Sequence, residues 1–202
     1  MSSFLVLKAT SFRLRALLWQ AIGADPVLGP FVNNEMNISL TNPTETSLNE
    51  QNKLSLWLYQ VSENEFVKNQ TPLRTNGAET RQMPPLALNL NYLVTPTGPA
   101  YEAEYQQLLL GLVMQTFYDQ SIVPLRDSAD GIEEELHIVL SRLTLEELAH
   151  VWEALRQPYR LSVCYQVAVA RIDSNRSISA ARVVEQHSGF RSKDTDDRGD
   201  TG

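Results

Sequence analysis

One cysteine, three histidines and nine glycines in 202 residues are few and widely scattered. Cys164 has no partner for an internal disulfide. Its place in an apolar alternating run marks it as a small buried hydrophobe rather than a nucleophile, and implies a reducing compartment at synthesis. His137, His150 and His187 stand far apart, so they and the single thiol do not make the ligand set of a structural zinc site. None of the glycines falls into a nucleophile elbow, a phosphate loop or a dinucleotide fingerprint, each of which needs glycine at fixed spacing so that backbone can approach a ligand. No metal, cofactor or catalytic residue is therefore read from the chain, and it is expected not to be an enzyme.

Clustered positive charge is also missing. The 17 Lys and Arg are dispersed in a chain of formal net charge −7, which makes nucleic acid a poor partner because phosphate binding needs several cations on one face. A long apolar run is missing as well: Lys8, Arg13 and Arg15 interrupt the amino-terminal stretch, against both a signal peptide and a membrane span. The chain is read as made in the cytoplasm and kept soluble, without membrane insertion.

What is present is the composition of an ordinary globular domain, 43% apolar and 20% charged. Phe4, Leu7, Leu14, Leu18 and Ala21 recur at helical spacing over residues 2–22, with Ser11 breaking the stripe and Gly23 and Pro26 closing it. Alternation predicts strands over 35–41, 54–61, 86–94, a short one around Leu136, Ile138 and Leu140, and a long, central one over 161–172, with an edge strand over 178–187. A second helix follows Pro99, with Tyr101, Tyr105, Leu108, Leu109, Leu112, Val113, Thr116 and Phe117 as its apolar stripe. Gly111 inside it costs about 1 kcal/mol against alanine, which suggests a close neighbour. A third helix starts at Thr144, where Glu147 completes a capping box, Leu143 and Leu148 can form a staple, and Leu148, Val151, Trp152 and Leu155 make the buried face. Most neighbouring strands lack a helical crossover, so the expected fold is α+β: a mixed, mainly antiparallel sheet of about five to six strands with three main helices packed on it. Residues 1–188 form one expected domain, and 189–202 a flexible charged tail.

His150, near Glu146 and Glu147, reads as an exposed helical histidine, and Glu133, Glu134 and Glu135 as a solvated charge run before a strand. The residues that ask for a role are Trp57 and Tyr59, beside a long polar loop over 62–85, and the paired Asn89 and Asn91. Aromatics and amides suit interfaces, although packing beneath the helices also accounts for the aromatics.

The segments LSLWLYQVSENEFVKNQ (54–70), PPLALNLNYLVTP (84–96), EYQQLLLGLVMQTFYDQ (104–120) and LTLEELAHVWEALRQPYRLSVCYQVAVARIDS (143–174) resemble the cap, or tail-terminator, family of extracellular contractile injection systems of the antifeeding-prophage type. The likeness covers most of residues 1–188 in the same order. It implies a ring of six copies on the end of the inner tube distal to the baseplate, which stops tube growth and holds the last sheath layer. It implies as partners the chain itself, as a homohexamer, the tube protein and the sheath protein. It also implies a component of a phage-tail-like particle that is released or membrane-associated. Contacts are then expected from residues 62–85 and 173–202, with Trp57, Tyr59, Phe66, Lys68, Arg74, Arg81, Asn89, Asn91, Arg171, Asp173 and Arg176 as candidate interface residues. A monomeric adaptor and an enzyme assembled from scattered residues are the competing readings, the latter requiring a deep pocket with His150 or several carboxylates of strongly shifted pKa.

Overall fold

Unbroken alternation from Leu86 onward makes the centre of the domain. The computed structural model describes residues 5–64, 80–82, 86–127, 132–172 and 177–179. Its helices are α1 (Val6–Ala24), α2 (Leu28–Phe31), α3 (Pro43–Thr46), α4 (Ala103–Asp119) and α5 (Leu145–Ala154). The strands are β1 (Ile38–Ser39), β2 (Leu54–Glu63), β3 (Thr80–Gln82), β4 (Leu86–Pro96), β5 (Ile122–Asp127), β6 (Ile132–Leu140), β7 (Val163–Ile172) and β8 (Ser177–Ser179). Six of the strands form one sheet in the order β1-β2-β4-β7-β6-β5; β1 and β2 are parallel and the other neighbours antiparallel. The expected mixed, mainly antiparallel sheet with three long helices is thus the observed architecture, and β7 lies inside the sheet.

The two sheet faces do different work. On one, Leu54, Leu56, Leu90, Tyr92, Val94, Leu136, Ile138, Tyr165 and Val167 meet the buried sides of α1 and α4 in the main core. Burying a large apolar side chain here contributes roughly 2 to 3 kcal/mol. Phe117 of α4 meets Tyr165 edge-on, with ring centroids 4.8 Å apart. Ser11, which breaks the stripe of α1 in sequence, is the polar mate that lets Tyr92 sit in this core. Its hydroxyl donates to the Leu7 carbonyl at 3.2 Å, which leaves its oxygen to accept from the Tyr92 hydroxyl at 2.8 Å. On the opposite face, α5 lays Trp152 over Leu93 and Cys164, with Leu143, Leu148 and Val151 around it. The capping box at Thr144 is formed: Glu147 N–H donates to the threonine hydroxyl oxygen at 3.2 Å, and Thr144 N–H donates back to the Glu147 carboxylate at 2.7 Å.

Four expectations change. Residues 35–41 are mostly not a strand: the Asn34 side chain accepts from Met36 N–H at 2.9 Å and folds Glu35–Asn37 into a 3-10 turn, so only β1 pairs. Strand β5 is not predicted by alternation, because Pro124 interrupts it. At a sheet edge that proline needs no inward N–H, and Arg13 Nε donates to its carbonyl at 3.3 Å, so the edge is partly covered. Glu133, Glu134 and Glu135 lie within β6, pairing with Arg126, Leu125 and Pro124, instead of preceding the strand. The expected edge strand over 178–187 is only β8 among the described residues. It joins not the main sheet but β3, in a separate antiparallel ribbon.

Candidate interaction surface

Register alone assembles a row of amides on the sheet face that carries α5. Gln60 pairs with Asn91, Asn91 with Gln166 and Gln166 with Val139, so four strands contribute one side chain each to a line across the sheet. The first of these is placed by a bulge in β2 between Leu58 and Gln60, which turns Gln60 to the same face as Tyr59. Asn91 Nδ2 donates to Gln60 Oε1 at 3.1 Å. Beside this row, where β6 runs into α5, lies an open groove of about 510 Å³ lined by Tyr59, Gln60, Asn91, Val139, Leu140, Ser141, Arg142, Leu143 and Gln166. Arg142 is the one charged lining residue among those described, and Val139 and Leu140 are exposed in spite of their apolar side chains. One row away, the side-chain oxygen Oδ1 of Asn89 is shielded from solvent and has no hydrogen-bond partner among the described residues.

The groove is lined by amides, hydroxyls and apolar side chains, with one guanidinium. No carboxylate lines it, and His150 sits exposed on α5 outside it. Among the described residues no three His, Cys, Asp or Glu side chains gather as metal ligands. The strongly shifted groups are packing groups. Burial, aided by the nearby Cys164, pushes the Tyr59 phenol far above its ordinary range, and burial also pushes the Cys164 thiol up to about 11 against the pull of the hydrogen bond the two share. Both therefore stay neutral near pH 7.

Trp57, Tyr59, Asn89 and Asn91 are brought to this one face by alternation and pairing. The two aromatics pack against the Leu93, Trp152 and Cys164 cluster beneath α5, with ring centroids 6.0 Å apart, and Tyr59 also reaches the groove. Arg81 lies in β3 and Arg171 in β7. Phe66, Lys68, Arg74, Asp173 and Arg176 fall outside the described residues, as does the expected tail over 189–202. Sequence reasoning did not single out Gln60, Val139, Arg142 or Gln166. Alternation along β7 does put Gln166 on the side of Cys164, but Gln60 is hidden by the bulge, which breaks the period on which such a reading relies.

The two segments expected to make contacts meet each other. In the ribbon, Thr80 pairs with Ser179, Arg81 with Ile178 and Gln82 with Ser177. Since β3 precedes β4 and β8 follows β7, the ribbon is joined along the chain to the central β4–β7 pair.

Among the described residues no helix is long and apolar enough to cross a membrane. No curated protein matches the chain. Among solved structures, the chain is similar to the sheath/tube terminator of an extracellular contractile injection system, PVC, in its extended state. The identity is 19% and the TM-score 0.59, over 96% of this chain and 64% of that one. A second match is the tube-terminating cap of the anti-feeding prophage, at 19% identity and a TM-score of 0.44 over 67% of this chain and 48% of that one. The chain therefore spans less than two thirds of the length of either solved relative. The model of the Pvc16 N-terminal domain matches residues 11–186, and the chain belongs to that family.

Proposed function

We propose that this chain is a structural, non-catalytic tail terminator of a contractile injection particle. Copies of it close into a ring of six on the distal end of the inner tube, stop tube growth and hold the last layer of sheath. The observation that carries this reading is the family match over residues 11–186, on a fold that follows a sheath/tube terminator across 96% of the chain. The open amide face and the β3–β8 ribbon, whose strands each have an outer edge unpaired among the described residues, are the surfaces available for such contacts. The ribbon and its flanking segments over 62–85 and 173–202 serve tube and sheath. Arg81 and Arg171 belong to this contact set, together with Phe66, Lys68, Arg74, Asp173 and Arg176.

The test is to image particles from cells with and without the gene. Loss of a uniform tube length and of density at the distal end, both restored by complementation, is expected. Tubes of unchanged length with an intact distal end would overturn the proposal. Chains lacking 65–79 or 180–202 are then added back. A deletion that leaves ring formation and binding to the trunk unaltered removes that segment from the contact set.

A further inference from the structure

Helix α4 carries exposed apolar side chains, Leu108, Met114 and Tyr118, on an outward side that also holds the exposed Glu104, Gln107 and Gln115. Its core side is Leu109, Leu110, Val113, Thr116 and Phe117. The predicted stripe is thus rotated: Tyr101, just before the helix, stands exposed, Tyr105 stacks on Phe31 at the flank with ring centroids 4.9 Å apart, and Leu108, at 47%, lies on an outward side shared with Met114 and with Tyr118 at 84%. Leu108, Gly111, Met114 and Tyr118 recur at three- and four-residue spacing, which is the pattern of a helix seam. Gly111 lies in the middle of that seam. It has an ordinary negative backbone φ, and a Cβ placed there would meet no atom within 4 Å. Among the described residues, therefore, none stands at the close range expected from its sequence position, and none gives a reason for a residue that weakens the helix.

The charge around the seam narrows the choice of partner. From residue 100 to 125 there is no Lys or Arg, and Glu104 and Asp119 are exposed on α4, while Glu102 is paired with Lys53 at 3.0 Å. Two copies of α4 crossing antiparallel at Gly111 would bring Glu104 of each beside Asp119 of the other, a like-charge pairing. The open groove on the other side of the sheet has the opposite character: apolar Val139 and Leu140, neutral amides, and Arg142 as its charge. Helix α4 packs on one face of the sheet and the groove opens on the other, so joining the two is head-to-tail and repeats from copy to copy, as a ring contact must.

We propose that the outward seam of α4 on one copy seats in the amide groove of the next, crossing at Gly111, with Arg142 facing the carboxylates of α4. This rests on the ring reading above and names its copy-to-copy surface. The test uses the full chain, alone and on particles lacking their own copy. With cysteines at both Gly111 and Val139, mild oxidation is expected to give a ladder of covalent dimers and higher species, whereas either cysteine alone gives no ladder. Arg142→Glu and Glu104→Arg should each weaken self-association roughly tenfold, and the double swap should restore it. Assembly that is unchanged by Gly111→Arg and Arg142→Glu would overturn the surface while leaving the ring intact. Cross-links from position 111 to sheath or tube protein would also overturn it, in favour of that partner. Absence of self-association in solution and on particles would defeat the ring reading and this surface together.

Discussion

Replacing Gly111 by alanine should make the isolated chain more stable. In the interior of an exposed helix, glycine is about 0.8 to 1 kcal/mol worse than alanine, because it surrenders more backbone freedom on folding and lends no side chain. That difference is realised in full only if the added methyl meets no obstacle and the backbone already lies in the ordinary helical region. Both conditions hold at Gly111. For a chain of this length the gain corresponds to a rise of about 2 to 4 °C in Tm. It should also raise the urea midpoint at unchanged slope, since the surface exposed on unfolding is the same. Gly98 is the internal control. Its φ is +147°, and a Cβ there would strike the carboxylate of Glu102, which Lys53 holds at 3.0 Å. Gly98→Ala should therefore lose about 1 to 3 kcal/mol, measured in the same urea titration. A Gly111→Ala chain no more stable than the parent, or less so, would refute the reasoning, because it would mean that the outward side of α4 is already occupied within the monomer.

Three further outcomes are expected. Ser11→Ala leaves the Tyr92 hydroxyl without its partner inside the main core, at a cost of about 1 to 3 kcal/mol in urea unfolding, and Tyr92→Phe in the same background should recover part of the loss. Arg156 takes a φ of 53° at the end of α5, where Gln157 N–H bonds to the Trp152 carbonyl at 3.2 Å and Arg156 N–H to the Glu153 carbonyl at 2.9 Å. This arrangement usually employs glycine, so Arg156→Gly should gain about 0.5 to 1 kcal/mol, read as a higher melting temperature. Stability should fall at alkaline pH. Burial raises Cys164 from an ordinary 9.0 to about 11, and raises Tyr92 from 10.0 to about 12. Both groups keep their protons longer when folded, so their contribution is fully present below pH 9 and is lost progressively between about pH 9 and 12. Urea midpoints that stay level across that window would contradict it.

Much of the fold could be read from residue order because the long elements obey one period without interruption. Leu86 to Val94 and Val163 to Val167 alternate cleanly, and Thr144 with Glu147 marks the start of α5 in both sequence and structure. What escaped was governed by single side chains acting locally. Asn34 folds 35–37 into a turn against their alternation, and Pro124 hides an edge strand that only its position in the sheet makes tolerable. The stripe on α4 could be seen, but not its division: the helix is apolar on more than one side, and only packing decides that Leu110 goes inward while Leu108 stays out. The candidate surface was half visible. Trp57, Tyr59, Asn89 and Asn91 share a face as alternation predicts. The partners that turn them into a groove arrive through a bulge and through pairing between strands far apart in sequence, which residue order does not record.

The ribbon of β3 and β8 also decides how the domain bears force. It is fastened to the ends of β4 and β7, and those two strands are held along their lengths by β2 on one side and β6 on the other. A pull on the ribbon along the strand direction loads these flanking ladders in shear. Their hydrogen bonds must then slip together instead of opening one after another as in a zipper. The β2–β4 ladder alone runs from Leu54 opposite Pro96 to Glu63 opposite Leu88, so the load is shared over its whole length. Tension entering through the ribbon would thereby be carried by the middle of the sheet.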